Sequence, residues 1–251
     1  MSTIIASGEV LKIYQTGDRP ILILCSDGFH YICKYKQPGY SANKLASEYI
    51  GSQFAKLWGI ATPYATLIEN DPIIWDDAGI SHDPIAPLLG SRRMENTFDL
   101  SNYNCDQVRA SWTTKNQLLT IALFDLWLAN EDRTSNNYNL LYDLRTDTIV
   151  SIDYGGIFNT VILGSPIYQL NSEDSILSSD LFDRLKKVGV EYSRTTFLRL
   201  VSKSKAAVPV ILESIPTEWN IDTLLFEKKL EEVFNTEWLS DTWNTFITLV
   251  N

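Results

Sequence analysis

The sequence predicts an α+β protein, and three observations carry that expectation. Two strand-like runs at residues 20–25 and 29–35 are split by Ser26-Asp27-Gly28, a hairpin signal. A second pair of short β-rich runs, 138–142 and 148–152, flanks a turn at 143–147. Helical segments dominate the later part, and the one at 116–128 is apolar nearly all round, as a helix buried within a helical unit would be. With 251 residues and 45% hydrophobic content, the chain can bury a large core as one large domain or as two lobes.

Taken in order, the 20–25 and 29–35 hairpin carries Lys34 and Lys36 near the end of its second strand. Alternation puts both lysines on one strand face, so the pattern alone does not choose between them. A helix is expected over 42–58, with Ala46, Ile50, Phe54 and Leu57 as its core stripe. Glu48 lies off that stripe. It reads equally as a solvated early-helix acid, favoured by the helix dipole, or as a partner for a strand lysine. Residues 60–69 start another strand after Thr62-Pro63, and 71–90, rich in Pro, Asp and Gly, reads as loop. Further helices are expected over 176–187, 192–206 and about 221–250, punctuated by Pro209 and Pro216.

Composition narrows the function. A net charge of −10 and a pI near 4.7 argue against a nonspecific nucleic-acid binder and against docking on anionic lipid. The three cysteines have no metal-ligand spacing, and Cys33 reads as a small core residue. The two histidines, His30 in a strand and His82 in a loop, give no basis for a triad or a zinc site. The N-terminus lacks the basic start and apolar run of a signal peptide, and no segment approaches the ~20 apolar residues of a membrane span. A soluble cytoplasmic protein is expected.

The chemistry is concentrated between Trp127 and Phe158. Asp132 is followed five residues later by Asn137, and Asp153 ends the next hydrophobic run in Asp153-Tyr-Gly155. Phosphoryl transfer needs one carboxylate to orient the attacking hydroxyl, and an amide oxygen with a second carboxylate to hold Mg²⁺ against ATP phosphates. If residue 142 pairs with 148 in the hairpin, Asn137 faces Asp153, at the roughly 4.5–5.5 Å Cα separation of directly opposed residues. Two oxygen ligands so placed can share one Mg²⁺. Asn139, one pleat deeper, is the second choice for the amide. The bland alternative is a hairpin with polar ends, since Asn, Asp and Gly are ordinary turn residues.

At these residues the chain resembles the HipA-like kinase family over roughly residues 10–240. The resemblance rests on Tyr31-Ile-Cys-Lys34, Ser47-Glu-Tyr-Ile50, Leu89-Gly-Ser-Arg-Arg93, Asn130-Glu-Asp-Arg133 with Asn137, Ser151-Ile-Asp-Tyr-Gly155 and Ile215-Pro-Thr-Glu-Trp219. It implies a two-lobed protein-kinase-like fold, with a small β-rich lobe over 1–95 and a larger helical lobe over 96–251. It implies ATP and Mg²⁺ as cofactors and a protein Ser/Thr hydroxyl as acceptor. By position, Lys34 would bind phosphates, Glu48 would pair with it, and 89–93, with Gly90 and Ser91, would form the hinge under adenine. Asp132 would be the base, and Asn137 and Asp153 the metal ligands.

The chain also departs from the family's pattern. Thr134 stands where a His is frequent, and Arg133 is the one neighbour that could replace its charge. The only candidate phosphate loop is Thr16-Gly-Asp-Arg-Pro20, with Gly17 as its glycine and an acid, Asp18, beside it. Relatives in toxin–antitoxin pairs carry or bind a DNA-binding partner. With no helix-turn-helix signature here, such an antitoxin or regulatory partner would be a separate protein, with no direct nucleic-acid contact. Two other classes compete: a pseudokinase acting as a nucleotide- or partner-binding module, and a small-molecule or lipid kinase. Acceptor choice would lie around residues 154–169.

Overall fold

The structure, a computed structural model, describes residues 4–38, 42–71, 75, 79–159 and 165–251. The first half builds an antiparallel sheet in the order β1 (Ala6–Ile13), β2 (Ile21–Cys25), β3 (His30–Lys34), β5 (Leu88–Arg92), β4 (Ala65–Ile68). The β2–β3 turn closes because Gly28 takes φ +80°, a conformation open to glycine at little cost, while Asp27 accepts from the Phe29 amide at 3.1 Å. Register Ile21↔Cys33 and Ile23↔Tyr31 puts these four on one face, in a small core with Cys25, Ile68, Trp75 and Leu88. The alternate residues Ile32 and Lys34 therefore face the opposite side, where the cleft lies.

Helix α1 (Asn43–Trp58) turns its buried side to the larger core, shared with α2 (Trp112–Leu128). Trp58 stacks on Trp127 at 5.1 Å between ring centroids. The α2 helix starts four residues earlier than expected, because Ser111 and Thr114 form a reciprocal capping box. A second sheet, ordered β6 (Thr97–Asp99), β7 (Leu140–Asp143), β8 (Thr148–Ser151), lies beside α2. The helices α3 (Asp180–Leu185), α4 (Arg194–Glu213), α5 (Thr223–Val233) and α6 (Thr236–Val250) complete the larger half. Among the described residues, no helix is long and apolar enough to cross a membrane.

Several expectations are corrected. Strand β1 has no counterpart in the sequence reading, because it is an edge strand with two register shifts and no clean alternation. The expected loop at 71–90 ends in β5, and its residues 72–74 and 76–78 lie outside the described ones. His82 in this loop stacks on Trp75. Over 176–187, Ser179 caps a fresh start, so a 3₁₀ turn precedes α3. Pro209 lies inside α4 and does not end it. The bond it cannot make would have gone to Lys205, on the exposed side of the helix where water can serve that carbonyl. The 221–250 run is two helices, because Asn235 caps α6 by accepting from the Glu237 amide at 2.8 Å.

The Ile215–Trp219 segment straps the two halves together. Trp219 Nε1 donates to the Pro87 carbonyl at 2.8 Å, and Lys36 Nζ donates to the Glu218 carbonyl at 3.0 Å. Tyr49 of α1 meets Ser214 at 2.9 Å.

Candidate active site

A cleft of about 490 Å³ separates the first sheet from the second. Ile32, Leu89, Met94, Leu100, Leu141 and Ile152 line its apolar end, and Lys34, Glu48, Asn137, Asn139 and Asp153 its polar end. An apolar slot beside a few converging polar groups is the usual form of a small-molecule site.

Lys34 is the hub. Its Nζ lies 2.7 Å from Asp153 Oδ1, 3.0 Å from Glu48 Oε2 and 3.5 Å from Asp18 Oδ2. The ambiguity left by alternation is resolved, since Lys36 instead pairs with Asp83 at 3.0 Å. Glu48 reaches Lys34 because α1 sits tightly on the segment that carries Asp153. A Cβ at Gly51 would fall 2.4 Å from Tyr154 Cβ, so only glycine allows this approach. Burial alone would lower the Lys34 ammonium, but the carboxylates of Glu48, Asp153 and Asp18 outweigh it and hold the lysine firmly charged. Burial would raise Asp153, yet the lysine keeps it well below the ordinary carboxylate range. Glu48 goes the other way: burial pushes it up, against the pull of Lys34.

Across the cleft, two amides hold Asp132. Asn137 Nδ2 donates to Asp132 Oδ1 at 3.0 Å, and Asn139 Nδ2 donates to Asp132 Oδ2 at 3.3 Å. Both also donate to the Asp132 carbonyl, at 2.9 and 3.0 Å. Burial raises the Asp132 carboxyl, and the charge of Asp153 raises it further. The Thr134 hydroxyl accepts from the amides of Asn136 and Asn137 at 3.2 and 3.3 Å, shaping the turn that presents Asn137.

The expected hairpin forms, but its register is one residue off. Tyr142 pairs with Ile149 and Leu140 with Ser151, because Asp143 stays in the strand and the turn closes over 144–147 with Asp147 at φ +52°. Asn137 is therefore not opposite Asp153. Both strands leave the ladder here, with Asn139 at φ +45° and Asp153 at φ +58°. Such left-handed backbone is uncommon outside glycine and is held in place by its surroundings.

Arg133 does not face the cleft. It is fully buried and ion-paired to Asp125 at 3.1 Å. Its guanidinium also donates to the Ile152 carbonyl at 3.0 Å and to the Asn139 carbonyl at 3.4 Å, so it ties the loops of Asp153 and Asn139 together. Buried Asn130 donates to Asp125 at 2.8 Å, and its oxygen accepts from the Asp132 amide at 3.4 Å. A Cβ at Gly156 would sit 2.6 Å from Asp132 Cβ.

The remaining expected site residues divide. Ser91 lines the cleft, whereas Gly90 faces away from it, where a Cβ would lie 2.2 Å from Ile68 Cδ1. The expected hinge at 89–93 is mostly strand β5, paired on both sides, and the connection toward β6 starts at Arg93. Gly17 sits in the β1–β2 turn with open space around it. The expected acceptor segment at 154–169 includes residues 160–164, outside the described ones. Asp18, Lys44, Asp125 and Asn130 were not singled out for roles. An acid in the middle of an otherwise apolar helix was the available signal for Asp125.

A divalent cation fits this donor set. Asp153 offers a carboxylate, and both Asn amides keep their oxygens while their nitrogens serve Asp132, which suits a hard, oxygen-seeking ion. Among the described residues, no group of three His, Cys, Asp or Glu side chains could hold a metal, so such a cation would depend on the amides.

A small antiparallel sheet over a helical half, with a lysine–glutamate pair above the cleft between them, defines a two-lobed protein-kinase-like fold. The family model for HipA-like kinases matches residues 9–242, and the chain belongs to that family. No curated protein sequence matches it. Among solved structures, the proinflammatory kinase CtkA of Helicobacter pylori superposes with a TM-score of 0.53 at 12% identity, covering 97% of this chain and 99% of that one. The golgi casein kinase aligns with a TM-score of 0.45 at 9% identity, over 97% of this chain and 75% of that one.

Proposed function

We propose that this protein is an ATP- and Mg²⁺-dependent kinase that phosphorylates Ser/Thr hydroxyls of a protein. The observation that supports it most is Lys34 joined to both Glu48 and Asp153, with Asp132 held across the cleft by two amides. Bound ATP would supply the phosphoryl group, and Mg²⁺ would neutralise charge between its terminal phosphates. Lys34 would grip the phosphates, with Glu48 fixing its position. Asp153 and the amide oxygens of Asn137 and Asn139 would hold the cation. Asp132 would orient the acceptor hydroxyl and take its proton. The apolar end of the cleft, with Leu89 and Ser91, would take adenine. The lobe boundary falls near residues 95–96, between β5 and β6. Three buried, unpaired cysteines fit a cytoplasmic setting. In a toxin–antitoxin arrangement, the antitoxin would be a separate protein.

A second reading, a nucleotide- or partner-binding module without transfer, draws on Asp18, whose carboxylate already lies against Lys34.

Transfer from radiolabelled ATP with Mg²⁺, to the protein itself or to a generic Ser/Thr substrate, decides between them. Asp132→Asn keeps the shape of the side chain but cannot take a proton. A loss of about 10²–10⁴-fold in single-turnover rate is expected, with the melting temperature little changed. A variant as fast as the parent would remove Asp132 from the chemistry. No transfer by the parent, with ATP still bound, would favour the binding module.

A further inference from the structure

A recess of about 170 Å³ beside the cleft is lined by Lys34, Lys36 and Lys44 together with Asp18, an unusual concentration of cations in a chain of net charge −10. Lys36 is committed to Asp83 and the Glu218 carbonyl, outside the cleft. The other two lysines share one carboxylate: Asp18 Oδ1 lies 2.8 Å from Lys44 Nζ, and Oδ2 lies 3.5 Å from Lys34 Nζ. A carboxylate spanning two ammonium groups sits where a phosphate would make the same two contacts. We propose that Lys44 is a second phosphate-binding residue beside Lys34, and that Asp18 occupies their shared anion seat until a polyphosphate displaces it.

Three observations place Lys44 in the site. Its stem folds over the glycine after Tyr154, since a Cβ at Gly155 would lie 2.9 Å from Lys44 Cε and 3.2 Å from its Cγ. Its charge acts on both acids, opposing the rise that burial gives Asp132 and adding to the depression of Asp153. It stands in the first turn of α1, where the helix dipole disfavours a cation, so helix stability does not account for it. The loop after Asp132 offers no cation to the cleft, because Thr134 shapes a turn and Arg133 is buried. Lys44 provides that charge from the opposite lobe. The cost is that the phosphates must expel Asp18 from two ion pairs.

The inference rests on the kinase reading, and the test separates them. Binding of ATP and of adenosine is measured by calorimetry for the parent, Lys44→Met, Lys44→Arg and Asp18→Asn, with unliganded melting temperatures as a folding check. Lys44→Met should weaken ATP about tenfold while leaving adenosine unchanged, since it removes one charge-assisted phosphate contact. Lys44→Arg should restore most of that loss. Asp18→Asn should tighten ATP roughly three- to tenfold, because two partly exposed ion pairs no longer compete. Equal ATP affinity in the parent and both neutralised variants, or weaker ATP binding by Asp18→Asn, overturns the inference and leaves the kinase reading standing. A parent that binds neither ligand overturns both.

Discussion

Beneath the loop that carries Asp132, Arg133 and Asp125 form a closed ion pair; above it, Lys34 faces three carboxylates. In the lower network the charges balance. The guanidinium spends its other N–H groups on the carbonyls of Ile152 and Asn139, and Asp125 takes an amide from Asn130. Everything is sealed from water. The upper network does not balance: Glu48, Asp153 and Asp18 surround one lysine, and Lys44 is ion-paired to Asp18 at its rim. It opens onto the cleft. A closed network fixes where loops lie, while an unbalanced, open one has charge left over for a cation and an anion that arrive together. Adjacent residues, Asp132 and Arg133, belong one to each side of this division.

If the lower network is structural, breaking it should cost the fold itself. Arg133→Met keeps the apolar bulk of the side chain but leaves Asp125 buried without its counter-charge. Removing one partner of a buried pair typically costs about 3–5 kcal/mol, and urea denaturation should show a loss of that size. A variant as stable as the parent would make the two networks alike. The upper network should answer through its ligand. Asp153→Asn removes the proposed cation ligand but leaves Lys34 paired with Glu48 and Asp18, so the unliganded protein should melt closer to the parent than Arg133→Met does. Ligand binding at a hundredfold excess over Kd stabilises by about 2.7 kcal/mol, and the thermal shift that Mg-ATP produces should be mostly lost in this variant. An equal shift in both proteins would take Asp153 out of the cation site.

The contrast also explains what the sequence disclosed. The sequence brought forward Lys34, Asn137 and Asp153, which line the cleft, and Asp132, which the Asn137 and Asn139 amides hold beside it, because polar groups at strand ends and after a buried helix are out of place without a task. Glu48 could not be read from periodicity, because its aim depends on how closely α1 packs on Tyr154 through Gly51. Arg133 was open to misreading, since its motif neighbour Asp132 is held by two cleft-lining amides while it turns inward. Hairpin register failed by one residue because Asp143 stayed in the strand and the turn closed over 144–147 with Asp147 at positive φ, a choice that Asn- and Asp-rich segments can make in several ways. Gly90 lay in a quoted motif, yet strand pleat decides which face a residue meets, and neighbouring Ser91 took the cleft.

A smaller effect sharpens the comparison through pH. Burial pushes the Asp125 carboxyl up to about 6, against the pull of Arg133 and the Asn130 amide. An acid whose folded value lies above its unfolded one binds its proton more tightly in the native state. Its contribution therefore favours the fold at low pH and is lost as pH rises, here between about 4 and about 6. Removing Arg133 takes away the strongest force holding Asp125 down, so in Arg133→Met the carboxyl should stay protonated to higher pH. The variant then has a way to neutralise its orphaned acid when the solution is acidic and loses it when the solution is basic. The stability gap between parent and Arg133→Met should thus narrow by about 1–2 kcal/mol from near pH 8 to near pH 5.5. Urea midpoints at the two pH values measure it. A gap that does not change would mean that Asp125 is not the group left unpaired, and that Arg133 holds the loop through the Ile152 and Asn139 carbonyls alone.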